Sequence, residues 1–286
     1  GELNKEIDKF NNYKMIIGFG GGQALDIAKY FSWKCRLTLF QFPTSISVDA
    51  VFGHRSGIRR KGNVNYIGWA IPESVFIDYE IIQSAPSIYN YSGIGDVLCF
   101  YTGVLDWQLA NKKNKCEKKW SYNQELAMQS LKYVDDLLIN VDDIKTMNEK
   151  GIDTIIRAHQ WGGNSFFSSG WNPRHIEGIE HFFFYNLEFL TNKKFIHGQP
   201  VCLGFVIGCL LHNKLQDKFL KFFKSLDFDF TPSAMNLSWD NIDTALSSLK
   251  NYIEKNQLWY GIGNEFQYSK EIIDQLKNTL NFIYKI

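Results

Sequence analysis

Three side chains far apart in the chain, Asp96, His181 and His197, could together hold a divalent ion. Asp96 lies in GIGDVLCFYTG, near the start of an otherwise apolar helical stretch. An acid there is costly to bury unless it is paired or bound to a metal. His181 lies in GIEHFFFYNLE, which has a helical pattern, and His197 in FIHGQPVCLG, where a loop enters an apolar helix. One carboxylate and two imidazoles supply three ligands and leave a position open for a substrate. Each residue also has a plain structural reading: Asp96 as a helix cap, each histidine as a hydrogen-bonded core residue. Residue chemistry alone leaves both readings open.

A second chemical feature is the run GFGGGQALD, with Gly20, Gly21 and Gly22 between a strand-like and a helix-like segment. Backbone N–H groups at a helix N-terminus, with no Cβ in the way, can approach a phosphate closely. A tight turn of any α/β protein would look the same, and the spacing is not the GxGxxG of the common dinucleotide turn. Five cysteines, at 35, 99, 116, 202 and 209, include no CxxC pair. They read as reduced, mostly buried thiols of a cytoplasmic protein, and a thiolate zinc site is not expected.

The elements that must position these groups follow from periodicity. Residues 13–19 (YKMIIGF) and 37–42 are compact apolar runs that suit buried parallel strands, with a helix between them carrying Leu25, Ala28 and Phe31 on one face. GIRR and NVNYIGW flank Lys61-Gly62, a hairpin signal, and 75–78 is another short strand. After Pro86 helical spacing takes over, with expected helices at 93–112, 121–141, 143–160, 177–191, 198–213, 214–225 and 270–284. The expected division is an α/β part over 1–84 and an all-helical part over 85–286.

Composition bounds the rest. The chain has 286 residues, 45% hydrophobic and 21% charged, with a formal net charge of +1. Such a chain is globular rather than disordered, and a poor candidate for nonspecific binding to nucleic acid or a membrane surface. The most apolar stretch, 201–211, is about half of what a membrane span needs. The opening GELNKEIDKF has no hydrophobic signal core, so a cytoplasmic location is expected.

The ordered set GFGGGQALDIAKY, FPTSISVDAVFG, VFIDYEIIQSAP, GIGDVLCFYTGVLDWQLA, IEH and HG resembles the glycerol-1-phosphate dehydrogenases of the iron-containing alcohol dehydrogenase and glycerol dehydrogenase superfamily. The resemblance implies a dehydroquinate synthase-like fold: an N-terminal α/β nucleotide-binding domain with a parallel sheet, here incomplete, and an all-α C-terminal domain. It implies Asp96, His181 and His197 as ligands of zinc, or of iron or nickel. It implies NAD or NADP on Gly20, Gly21, Gly22, Thr44 and Ser47, and Asp49 near the substrate hydroxyls and the nicotinamide. The substrate expected is a small phosphorylated polyol or its keto form, and the assembly a homo-oligomer.

Some segments depart from the family pattern. The family carries a further unit of roughly 60–90 residues before the glycine strand, and about twelve residues precede it here. WNPRHIEGIEH replaces a shorter loop, adding Arg174 and His175; Arg174 is a candidate substrate contact. Tyr185 stands where a further histidine is common, so it too is a candidate substrate contact. His54 reads as a surface-loop residue. Two other readings accompany the dehydrogenase: a metal-dependent phosphate-eliminating lyase or cyclase of the same fold, and a non-catalytic remnant that no longer binds dinucleotide.

Overall fold

A computed structural model describes residues 2–10, 12–60 and 63–285. After a short helix α1 (Glu2–Lys5), the first strand is β1 (Met15–Gly20), followed by helix α2 (Gly22–Cys35) and strand β2 (Thr38–Pro43). β1 and β2 pair in parallel, with Ile17 opposite Phe40 and Phe19 opposite Phe42. A crossover between parallel strands needs a connection over one sheet face, ordinarily a helix. α2 fills that role through Ala28 against Ile16 and Leu39.

An antiparallel hairpin follows, β3 (Ser56–Arg60) with β4 (Asn63–Ile67). The turn expected at Lys61-Gly62 lies outside the described residues. β5 (Ser74–Val75) joins the parallel sheet, whose order is β1-β2-β5. The strand expected over 75–78 is thus shorter, although the Phe76 N–H still donates to the Gln41 carbonyl.

From Tyr79 onward the described elements are helical. They are α3 (Tyr79–Ser84), α4 (Ser87–Ser92), α5 (Ile94–Lys112), α6 (Gln124–Ile139), α7 (Val141–Thr146), α8 (Glu149–Ser168) and α9 (Ile179–Thr191). They continue with α10 (Gly198–Leu211), α11 (Asp217–Ser225), α12 (Trp239–Lys255), α13 (Ile262–Glu265) and α14 (Lys270–Tyr284). Two departures from the periodicity reading stand out. The helix expected over 143–160 is two helices, because Met147 takes a left-handed backbone (φ 47°) and Asn148 caps α8 by accepting the Gly151 N–H. α12 was not expected at all, yet Ser238 caps it reciprocally with Asn241, and Ile242, Ala245, Leu246, Leu249 and Ile253 form its buried stripe.

The main core is built around α10, whose residues from Gly198 to Cys209 are all buried. α10 packs against α5, α9 and α14, and being apolar on every side it is the central helix. The sheet is less covered. On the face away from α2, Met15, Ile17 and Phe19 are 55–60% exposed, and Phe42 stacks on Phe76 with ring centroids 4.5 Å apart.

Candidate metal centre and its cleft

Each of the three candidate ligands comes from a different element. Asp96 is in the first turn of α5, His181 in the first turn of α9, and His197 is the residue on which α10 begins. Two glycines allow these helix ends to meet. A Cβ on Gly93 would collide with the Ile46 carbonyl, and one on Gly198 with the Ser92 backbone. Ser92 ties the junction together: its hydroxyl accepts the Gly198 N–H at 2.7 Å and donates to the Ser47 carbonyl at 3.0 Å.

The result is a compact donor set. His197 Nε2 lies 2.8 Å, and His181 Nε2 3.8 Å, from Asp96 Oδ1, and donor atoms from all three residues fall within 4.8 Å of one another. A divalent ion with nitrogen and oxygen ligands at about 2.0–2.2 Å needs donors spaced about 3.3–3.6 Å apart in a tetrahedral arrangement. The observed separations bracket that spacing, so the residues fit such an ion.

The support behind His181 is specific. Its Nδ1 faces Glu180 Oε1 at 3.1 Å, which leaves Nε2 toward Asp96. Glu180 is fully buried; Oε1 also accepts the Gly178 N–H at 2.6 Å, and Oε2 accepts the Thr102 hydroxyl at 2.6 Å. A carboxylate held this firmly orients the imbedded imidazole and raises its basicity. A second grouping, Cys99, Glu180 and His181, is this same support: both Glu180 oxygens are already engaged.

Charge follows from the geometry. Burial alone would lower His181, but Glu177, Glu180 and Asp96 together hold it at about 9. Burial would raise Asp96, yet His197 and His181 pull it well below the ordinary carboxylate range. Asp49 is raised by burial and by the neighbouring Asp96 charge. Glu177 is raised by burial, with Glu180 and Asp49 adding to it.

These ligands open onto a cleft of about 2270 Å³ whose lining includes Gly21, Gly22, Thr44, Ser47, Asp49, Tyr66, Glu177 and Tyr185. Gly21 is the N-cap of α2 and makes no side-chain cap, and Gly21 and Gly22 both line the cleft, with the Val48 side chain packed close against Gly22. Gly20 turns the chain there with φ 142° but does not line the cleft. Asp49 donates its backbone N–H to Asp96 Oδ2 at 3.0 Å, which fixes the 49–53 turn beside the candidate ligands.

Two sequence expectations are corrected. Arg174 does not reach the cleft: it is fully buried, its Nη1 donates to the Tyr260 carbonyl at 2.7 Å, and its Nε lies 3.8 Å from Glu117. The long loop carries it inward, where it joins three chain segments. His54 is not a surface residue; it is buried under Phe167, with ring centroids 4.9 Å apart, and edge-on to Trp171. His175 is also buried, Nε2 to Ser165 Oγ at 2.8 Å, and is not among the cleft-lining residues.

Three residues at the site escaped the sequence reading. Lys29 is buried, and its ammonium donates to the carbonyls of Ala50, Gly53 and Arg55 at 2.8–2.9 Å while pairing with Asp26 at 2.7 Å. Its only signal was the Asp26/Lys29 spacing of three on a predicted helix. Glu177 and Tyr66 gave no signal, since nothing local shows that their segments face the cleft.

Comparison with known proteins bears on this arrangement. Residues 2–86 match the family model described as iron-containing alcohol dehydrogenase. Glycerol-1-phosphate dehydrogenase [NAD(P)+] of Thermococcus kodakarensis is 32% identical over 213 residues, 74% of this chain and 59% of that protein. The protein of the same name from Pyrococcus abyssi is 32% identical over 214 residues, 74% of this chain and 60% of that one. The chain therefore spans about three-fifths of the length of these relatives.

Among solved structures, a probable glycerol dehydrogenase from Sinorhizobium meliloti superposes with TM-score 0.72 at 16% identity, covering 100% of this chain and 82% of that one. A 2-epi-5-epi-valiolone synthase from Streptomyces hygroscopicus, solved with NAD+ and Zn2+ bound, superposes with TM-score 0.62 at 16% identity, covering 98% and 77%. Among the described residues no helix is long and apolar enough to cross a membrane. The chain thus has the dehydroquinate synthase-like fold of the iron-containing alcohol and glycerol dehydrogenases, and in sequence it resembles the glycerol-1-phosphate dehydrogenases of that superfamily.

Proposed function

We propose that this chain carries the metal centre and part of the dinucleotide cleft of a metal-dependent, NAD(P)-linked dehydrogenase. Its substrate class is a small polyol phosphate, such as glycerol 1-phosphate with dihydroxyacetone phosphate as its keto form. The observation that carries the reading is the convergence of Asp96, His181 and His197, from three helices, at the wall of a cleft that the uncapped N-terminus of α2 also lines. The sequence relatives are dehydrogenases by name, which favours hydride chemistry over phosphate elimination.

In this reading residues 1–84 contribute to dinucleotide binding and residues 85–286 bind metal and substrate. Asp96, His181 and His197 hold zinc, or iron or nickel, and such an ion when bound supplies Lewis acidity to the oxygen of the reacting alcohol or ketone. Glu180 keeps the His181 proton on Nδ1. Gly21 and Gly22 offer backbone donors to the pyrophosphate, with the Thr44 and Ser47 hydroxyls beside it. Asp49 orients a substrate hydroxyl next to the ligand set. Tyr185 forms the wall beyond His181. Arg174 belongs to the scaffold instead, fastening the loop that leads into α9.

The deciding experiment loads the chain with zinc and follows NADH and NADPH oxidation with dihydroxyacetone phosphate. About one ion per chain with turnover dependent on the keto phosphate supports the reading. A folded chain that takes up no zinc, iron or nickel at neutral pH overturns it.

A further inference from the structure

The wall beside the candidate ligands contains an acid that the metal set does not use. Glu177 is half-buried and lines the cleft with Asp96, His181 and His197. It is not a cap for α9: the N-cap is Gly178, and the Gly178 N–H is taken by Glu180. Nor is it one of the grouped donor atoms.

One Glu177 oxygen, Oε1, accepts the Tyr185 hydroxyl at 3.0 Å. Tyr185 stands one helical turn beyond His181, with its ring centroid 5.7 Å from the imidazole, and its hydroxyl also meets Tyr66 of β4. The Glu177 backbone is equally fixed, its N–H bonded to the Pro173 carbonyl at 3.0 Å and its peptide packed where a Cβ on Gly103 would stand. Glu177 is therefore a pre-positioned acceptor: one oxygen is held by a rigid donor, and Oε2 has no hydrogen-bond partner from the protein among the described residues. The wall around it is acidic, since Asp49 and Asp96 are also there, while the nearby Lys29 ammonium is consumed by three carbonyls and Asp26. A wall of this kind favours hydroxyl donors and disfavours an anionic group.

We infer that Glu177 is a specificity-determining residue that accepts a hydrogen bond from the substrate hydroxyl on the carbon next to the reacting one, with Tyr185 as its positioning residue. The inference rests on the dehydrogenase reading, and makes its substrate a vicinal diol whose phosphate, where present, points away from this wall. Losing a charged acceptor from such a bond costs about 10- to 100-fold in discrimination.

The test uses cobalt(II)-loaded protein, whose visible absorption reports on ligands at the metal without any turnover. Wild type, Glu177→Gln, Glu177→Asp and Tyr185→Phe are titrated with ethane-1,2-diol and with ethanol, which differ by the one hydroxyl in question. Wild type should prefer the diol; Glu177→Gln should hold the same cobalt content and lose at least about tenfold of that preference. Glu177→Asp, which keeps the charge, should fall between them, and Tyr185→Phe should lose part of the preference while keeping cobalt. Equal preference in wild type and Glu177→Gln, or a wild type that does not distinguish the two alcohols, overturns the inference and leaves the metal reading standing. Loss of cobalt in a folded Glu177→Gln assigns Glu177 to the metal instead and also overturns it. A wild type that binds no cobalt overturns the metal centre and this inference together.

Discussion

The histidines show how much environment matters to a side chain. His181 and His175 lie six positions apart in the segment leading into α9, yet only His181 faces Asp96; His175 is enclosed by Trp107, Trp161 and Ser165. His181→Ala should therefore strip or greatly weaken metal binding, while His175→Ala and Asp49→Asn should keep the metal, and elemental analysis of the purified variants checks this. Asp49→Asn should still lower turnover by roughly 10²-fold, because a reacting group loses its positioning. His175 carries a separate prediction. Burial pushes it down to about 3 from an ordinary 6.5. A base whose folded value is depressed contributes stability above 6.5 that is lost as pH falls toward 3, because the unfolded chain takes the proton first. His175→Gln should flatten the loss of thermal stability between those pH values, which melting curves across the range would reveal.

Among the elements, the turn after β2 is held from below by α2. Lys29 fixes Ala50, Gly53 and Arg55 from a position where its charge has no access to water. Lys29→Met would leave Asp26 without this partner and three carbonyls unbonded, at a cost of about 3–5 kcal/mol. The expected outcome is a lower melting temperature, together with faster amide exchange confined at first to residues 49–55; unchanged exchange there would show that the turn is held by its own bonds. The helix ends obey the same logic of close approach. Gly93→Ala and Gly198→Ala would each drive a methyl into backbone, so the α5 and α10 termini would separate and the donor set with them.

For the molecule as a whole, the candidate site lies in the cleft lined by both the sheet region and the helical part, and aromatic residues report on it. Trp69, Trp120, Trp171 and Trp259 all line the cleft. NADH entering it should quench tryptophan emission and sensitise its own, and a saturating titration measures the affinity directly; an unchanged emission would show that the 286 residues do not bind the dinucleotide by themselves. The uncovered sheet face bears on the same measurement. Parallel sheets are ordinarily covered on both sides, and here Met15, Ile17 and Phe19 of β1 are exposed opposite α2. The half of the cleft near β1 is thus built with less packing than the half near α10.

Much of this arrangement could be read from local spacing. The parallel strands, the glycine turn into α2, and α5, α9, α10 and α14 follow from apolar periodicity and from which residues can begin or end a helix, properties of a few neighbouring positions. The break at Met147 and the helix α12 show the limit of that reading: apolar spacing alone ran past the first and overlooked the second, where caps by Asn148 and by the Ser238–Asn241 pair set the helix starts. Which elements meet was decided only by tertiary structure. Asp96, His181 and His197 were three candidate ligands on separate segments until Gly93 and Gly198 let their helix ends close on one point. Arg174 was a candidate for the cleft and Glu177, three residues on, was not; the fold buries the first against Tyr260 and Glu117 and places the second in the cleft lining. Sequence spacing specifies the face of an element, whereas contact between elements depends on how distant side chains share a limited volume.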